Sequence, residues 1–264
     1  MPGLIDTHTH TCQQLLRGRT FNEYPMIWSR ILVPFESSLT PQNVAISAEL
    51  SCLKMIESGT TAFADAGGVH MEEVAYIVNK SGMRAALTES AIDQGALIPS
   101  AMKRTPQKIL QSTEDLYRHY HQTANQRIHI WFGIRQIMTA SPALIEATAA
   151  KARELHTGLH AHLAEHRDGV SFCLQKYHRR PAEVLDGLGA LRPNLLTAHN
   201  VMLSEKDIML LAAHHVHIVH APRNNLIYHG MPKTPYIKAA GLSIGIGSDG
   251  ASESSLSLFD EILV

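Results

Sequence analysis

Histidine is over-used in this chain, at 17 of 264 residues. Imidazole is the commonest metal ligand and the usual acid–base group near neutral pH. A count decides nothing, so positions must. His8 and His10 stand two apart in Asp6-Thr7-His8-Thr9-His10. Alternate side chains of a strand point the same way, so both rings can reach one ion. His160-Ala161-His162 repeats the spacing, and Glu165 follows with a carboxylate able to move protons beside a metal. His160 shares the orientation of His162 and competes with it; the spacing to Glu165 favours His162. His199 ends a further β-rich run, and Asp249 ends another within Gly247-Ser248-Asp249-Gly250. Three imidazoles and a carboxylate suit a hard-to-borderline divalent cation that keeps room for water.

Those residues need a scaffold that gathers distant strand ends. Short β-rich runs occur at 3–8, 60–65, 83–88, 128–135, 158–163, 194–199, 216–220 and 242–248. Amphipathic stretches separate them. Thr40-Pro41 and Ser141-Pro142 open helices that Gly59 and Gly158 close; Ser204 with Asp207 forms a capping box, and Ser112 with Asp115 is expected to form another. Strict alternation of strand and helix argues for a parallel sheet covered by helices. Eight strands in 264 residues favour an α/β fold of the (β/α)8 TIM-barrel type, one domain over 1–264. In such a barrel the C-terminal strand ends form the working face, where His8, His10, His162, His199 and Asp249 all fall.

Several function classes drop out. Net charge is −1 with the basic residues scattered, so a nucleic-acid partner is not expected. The densest basic run, His178-Arg179-Arg180, reads as a solvated helix end. Cys12, Cys52 and Cys173 form neither a disulfide framework nor a Cys-x-x-Cys pair. There is no signal-like start and no run long enough to span a membrane, so a cytoplasmic protein is expected. Gly245-Ile246-Gly247-Ser248-Asp249-Gly250 matches the dinucleotide fingerprint, but too little chain follows for the βαβ unit that the fingerprint requires. No His-Glu-x-x-His helix, phosphate loop or nucleophile elbow is present.

Five landmarks in order resemble the amidohydrolase superfamily, in its aminoheterocycle deaminase and chlorohydrolase branch, which holds S-adenosylhomocysteine, guanine and cytosine deaminases. They are Pro2–His10, Glu57-Ser58-Gly59-Thr60-Thr61, His162-Leu163-Ala164-Glu165, Ala198-His199-Asn200 and Gly247–Gly250. The resemblance implies His8, His10, His162 and Asp249 as metal ligands, Glu165 as the proton shuttle, and His199 beside the attacking water or the substrate. Binuclear members carry a lysine on strand four; IHIWFGIRQI has none, so one divalent ion is expected, zinc first and ferrous iron second. The implied reaction is hydrolytic deamination of an aminated nitrogen heterocycle (purine, pterin, pyrimidine or triazine), with Asp249 taking a proton from water and Glu165 protonating the ring.

The resemblance also marks departures. Relatives carry a small β-sandwich built from sequence flanking the barrel, and this chain shows neither flank, which leaves a trimmed domain, a fragment or a minimal form. Apolar surface exposed where the sandwich packs would be an aggregation hazard. Strand four exits through Arg135-Gln136-Ile137-Met138 where several relatives have a histidine. Arg135 and Gln136 are candidates for reading ring carbonyls or an anionic group, and Arg135 equally for a structural salt bridge. Trp28 is a candidate for stacking on a flat substrate, with packing the ordinary alternative. His214, His215, His217 and His220 read as a helix end and wall, and Asp65 as buried hydrogen bonding. The leaving group stays open between ammonia, chloride and an amide nitrogen. A non-catalytic metal-binding barrel is the reading from another class. The resemblance implies a homodimer as one assembly, and the partner is a small heterocycle.

Overall fold

The computed structural model describes residues 1–21, 23, 26–250 and 255–264. All strand pairings are parallel. Strands β1 (Leu4–Thr9), β2 (Thr60–Gly68), β3 (Arg84–Glu89) and β4 (Ile128–Ile130) form one run of the sheet. Strands β5 (Phe132–Ile134), β6 (Leu159–Leu163), β7 (Leu195–His199), β8 (His217–His220) and β9 (Ile244–Ile246) form the other.

The fourth expected strand is thus split at Trp131, because its two halves serve different neighbours. Trp131 N–H donates to Leu87 O on β3 at 2.8 Å, and Phe132 N–H to Gly158 O ahead of β6 at 3.0 Å. The same strand therefore joins the two runs. At the other seam Thr7 Oγ1 donates to Ile246 O at 2.8 Å and Asp249 N–H to His8 O at 2.8 Å. A lone parallel bridge, Thr9 to Asp249, completes the circle. These bonds close a (β/α)8 barrel, as the alternating sequence predicts.

The glycines of the fingerprint-like stretch are explained by that seam. A side chain on Gly247 would come within 2.7 Å of the His8 backbone oxygen, and one on Gly245 within 2.6 Å of Thr7 Oγ1. Close approach of β9 to β1 requires them, and no dinucleotide loop is involved.

Helices wrap the outside. Thr40 and Asn43 form a capping box ahead of Pro41–Glu57, and Ser204 with Asp207 caps Glu205–Ala213 as expected. The expected Ser112–Asp115 box is not a helix start: that helix runs Pro106–Tyr120 and is capped by Thr105. Ser112 instead sits inside it and bonds Glu89 Oε1 at 3.0 Å. Leu159, Ala161 and Leu163 of β6 enter the apolar layer with Leu144, Ile145, Leu185, Ile208 and Leu211, while Phe63, Ala85, Leu87, Val44 and Met55 build the corresponding layer around β2 and β3. Period-two alternation then turns His160 and His162 into the barrel. Ile5, Phe259, Ile262 and Leu263 are exposed. No helix among the described residues is long and apolar enough to cross a membrane.

Candidate metal centre and active site

Six chemistry-bearing residues of the landmarks lie together at one end of the barrel. His8, His10, His162, His199, Glu165 and Asp249 are each less than a tenth exposed. His10 Nε2 and His162 Nε2 face each other at 3.2 Å. Asp249 Oδ1 lies 3.4 Å from His8 Nε2 and 3.7 Å from His10 Nε2, and its Oδ2 lies 3.8 Å from His199 Nε2.

For His10 and His199 the back of the ring sets the tautomer. Gly67 O accepts from His10 Nδ1 at 2.9 Å, so His10 Nε2 presents a lone pair to the centre. Asn225 Oδ1 does the same for His199 Nδ1 at 2.9 Å. His160, the rival of His162, instead bonds the rear nitrogen of His8: His8 Nδ1 and His160 Nε2 are 3.0 Å apart. That leaves His8 Nε2 buried without a hydrogen-bond partner, aimed where Asp249 lies. Burial pushes His10 and His162 well below the usual imidazole range, with the neighbouring rings adding to the effect, so both stay neutral. Burial alone would raise Asp249, but the nearby His8, His199 and His10 rings hold it below the usual carboxylate range.

Neutral imidazole nitrogens converging on an ionised carboxylate, one of them orphaned, fit a divalent cation. His8, His10 and Asp249 form one group of donor atoms within 4.8 Å of one another, and His8, His162 and His199 a second.

Two carboxylates pin the scaffold. Asp6 accepts from His8 N–H at 3.2 Å, Ser248 N–H at 3.1 Å and Ser248 Oγ at 2.5 Å, which ties the Asp249 turn to β1. Asp65 accepts from Thr11 N–H at 3.1 Å and Gly67 N–H at 3.0 Å, the buried hydrogen bonding expected of it. His199, Asn200, Asp249 and Ala164 hold φ of 72°, 58°, 61° and 49°. Non-glycine residues in the left-handed region cost about 1–3 kcal/mol each and persist where surrounding bonds enforce them.

Glu165 occupies the same end, three residues past His162 and one past Ala164. Gln136 Nε2 donates to its Oε2, and His229 Nε2 lies 3.0 Å from its Oε1. Burial opposes ionisation of Glu165, but His199 and His229 hold it well below the usual range. A cavity of about 360 Å³ opens beside it, lined by Trp28, His166, Met202, Tyr228 and His229. Trp28 Nε1 donates to His166 Nε2 at 3.0 Å.

Arg135 is placed differently from Gln136. Its guanidinium bonds Glu36 Oε1 at 3.0 Å, Gly67 O at 3.1 Å and Ser90 Oγ at 3.2 Å, all of them buried. It is the salt-bridge alternative that this geometry matches, with Arg135 reaching the centre through Gly67 and His10. His229 has no counterpart in the sequence reading. It lies in an irregular turn, Asn225–His229, with no periodic pattern and no landmark spacing. The nearest signal was the crowding of histidines after residue 213, which spacing alone does not resolve.

The described geometry can be set beside known proteins. The chain is 35% identical over 268 residues to a 5'-deoxyadenosine deaminase from Methanoregula boonei, covering 100% of this chain and 59% of that protein. It is 34% identical to a 5-methylthioadenosine/S-adenosylhomocysteine deaminase from Thermococcus sibiricus, covering 99% and 61%. Among solved structures it matches an adenosine deaminase from Xanthomonas campestris with bound zinc at a TM-score of 0.90 and 28% identity, covering 99% of this chain and 59% of that one. The chain therefore spans about three fifths of the length of the relatives it matches. The amidohydrolase family pattern matches residues 1–264. On its sequence and its fold alike, the chain belongs to the amidohydrolase family.

Proposed function

We propose that this barrel is the catalytic domain of a metal-dependent hydrolytic deaminase acting on an aminated nitrogen heterocycle, with residues 1–264 as one domain. Adenine nucleosides are the first substrate class to try, because the relatives over 30% identical are named for 5'-deoxyadenosine, 5-methylthioadenosine and S-adenosylhomocysteine. The observation that carries the reading is the meeting of His10 Nε2, His162 Nε2, His8 Nε2 and Asp249 around one point, with Glu165 a short step away.

His8, His10, His162 and Asp249 would hold one divalent ion, zinc by analogy with the Xanthomonas campestris structure. When bound, that ion supplies Lewis acidity, which brings the pKa of water towards neutrality. The protein's own groups do the rest. Asp249 receives a proton from the attacking water through a carboxylate oxygen. His199, with Nδ1 committed to Asn225, keeps Nε2 directed at that water. Glu165, ionised at rest, takes up the water's other proton and delivers it to the ring nitrogen as the amidine carbon becomes tetrahedral. Asp249 then passes its proton to the amino group, and the carbon–nitrogen bond breaks to release ammonia as the carbonyl forms. Gln136 holds Glu165 from one side. Trp28, beside His166, forms an aromatic wall suited to a flat ring.

The test is ammonia release by zinc-loaded protein across adenine nucleosides, aminopterins, cytosine and aminotriazines, with His199→Ala as the control. Release from one ring type, lost in the control, supports the deaminase. Metal-replete, folded protein that releases nothing from any ring overturns it and turns attention to chloride or amide leaving groups.

A further inference from the structure

Glu165 is the proposed proton carrier, yet it follows a strand end on a loop, where a free carboxylate would sample several rotamers. Both of its oxygens are occupied. Gln136 Nε2 donates to Oε2, and His229 Nε2 lies 3.0 Å from Oε1. An ionised carboxylate has no hydrogen to give, so the proton in the second contact belongs to His229 Nε2.

The source of His229 is the turn after β8. It begins with Asn225 N–H on Ala221 O at 2.8 Å and ends with Gly230 N–H reaching back to Asn225 O at 2.6 Å. Such a wide turn places its first and fifth side chains on one side, and wide turns of this kind recur at functional sites. The first side chain, Asn225, accepts from His199 Nδ1 and donates to His220 Nδ1, each at 2.9 Å. The fifth, His229, meets Glu165, with the His199 ring 5.5 Å and the His166 ring 6.1 Å from its own.

We infer that His229 is a positioning residue for Glu165, so that one five-residue turn aligns both the water-side imidazole, through Asn225, and the ring-side carboxylate, through His229. The inference rests on the proposed proton-carrying role of Glu165. One end of the cavity at Trp28 is also formed by His229, so substrate entry and the orientation of Glu165 share a side chain.

Zinc-loaded protein and its His229→Ala, His229→Asn and His229→Gln variants test this. The Gln side-chain nitrogen reaches the place of Nε2, whereas that of Asn reaches only the place of Nδ1. On the ring that releases ammonia, Ala and Asn are expected to lower kcat about 10- to 100-fold with KM within about threefold, and Gln to recover most of it. Bound zinc per chain stays as in the parent. A second readout needs no turnover. With ¹⁵N-labelled histidine, the His229 ring N–H, identified by its absence in His229→Gln, is a slowly exchanging signal that Glu165→Ala abolishes. A kcat within twofold in folded His229→Ala, rescue by Asn equal to that by Gln, or a ring N–H indifferent to Glu165→Ala overturns the inference. If no ring is turned over, the deaminase reading fails, and the ring signal still decides whether His229 holds Glu165.

Discussion

Strand β8 carries a histidine at each end, and the two have opposite fates. His220, at the C-terminal end, is buried, bonded to Asn225 and close to His199. His217, at the N-terminal end, is exposed and bonded to Ser243 Oγ at 2.6 Å. The same contrast extends around both rims. The N-terminal rim holds the larger hollow, about 590 Å³, lined by Trp131, Arg153, His156, Arg192 and His217. The C-terminal rim has a smaller cavity, but His8, His10 and His199 are buried there and face carboxylates. Cavity size therefore does not mark the working end; orientation, burial and a facing carboxylate do.

The largest test of that contrast is a pair of substitutions one rim apart. His162→Ala is expected to abolish turnover and to lower zinc affinity by more than about a hundredfold, read by chelator competition, whereas His217→Ala leaves both as they were. Loss of zinc in both would erase the distinction. Next, Glu165→Gln should lower kcat about 10²- to 10⁴-fold while zinc content holds, separating proton transfer from metal binding within one rim. Equal activity in this variant would remove Glu165 from the chemistry.

The third is a stability effect. Arg135→Met leaves the Glu36 carboxylate buried without its cation and should cost about 3–5 kcal/mol in urea unfolding. Adding Glu36→Gln should restore most of it, and an additive double variant would show the pair to be uncoupled. The smallest concerns β8 itself. Burial, with His199 adding to it, holds His220 down at about 4. A folded value below the unfolded one means the stabilisation is present above about pH 6.5 and fades as pH falls towards 4. The unfolding midpoint should therefore drop over that window, less steeply in His220→Asn.

Legibility in the sequence tracked how local each determinant is. His8 with His10, and His162 with Glu165, lie close along the chain at strand ends, so a period of two plus barrel geometry placed them. Eight strands were readable because Gly, Pro and capping residues punctuate them. What sequence could not carry was pairing across the barrel. His160 and His162 look alike on paper, and only the proximity of His160 to His8 Nδ1 separates them. Arg135 and Gln136 are neighbours on opposite faces of one strand exit, one turned to Glu36 and the other to Glu165. His229 reaches Glu165 from an irregular turn, where no repeat announces a side chain's direction. The split of strand four at Trp131 likewise depends on which neighbour each half meets.

The seam between β1 and β9 joins residues far apart in sequence, with Asp6 and Ser248 separated by 242 positions. His8 and His10 lie on one side of it and Asp249 on the other, linked by the Asp6–Ser248 bonds. During synthesis the first of the proposed ligands, His8 and His10, emerge from the ribosome seven strands before the last, Asp249. Until residue 249 docks, no partial barrel can present the full donor set, and the contacts that finish it have the longest sequence separation in the fold. Acquisition of the ion would then report completed assembly, and premature termination before Gly247 would yield a chain that never gains it.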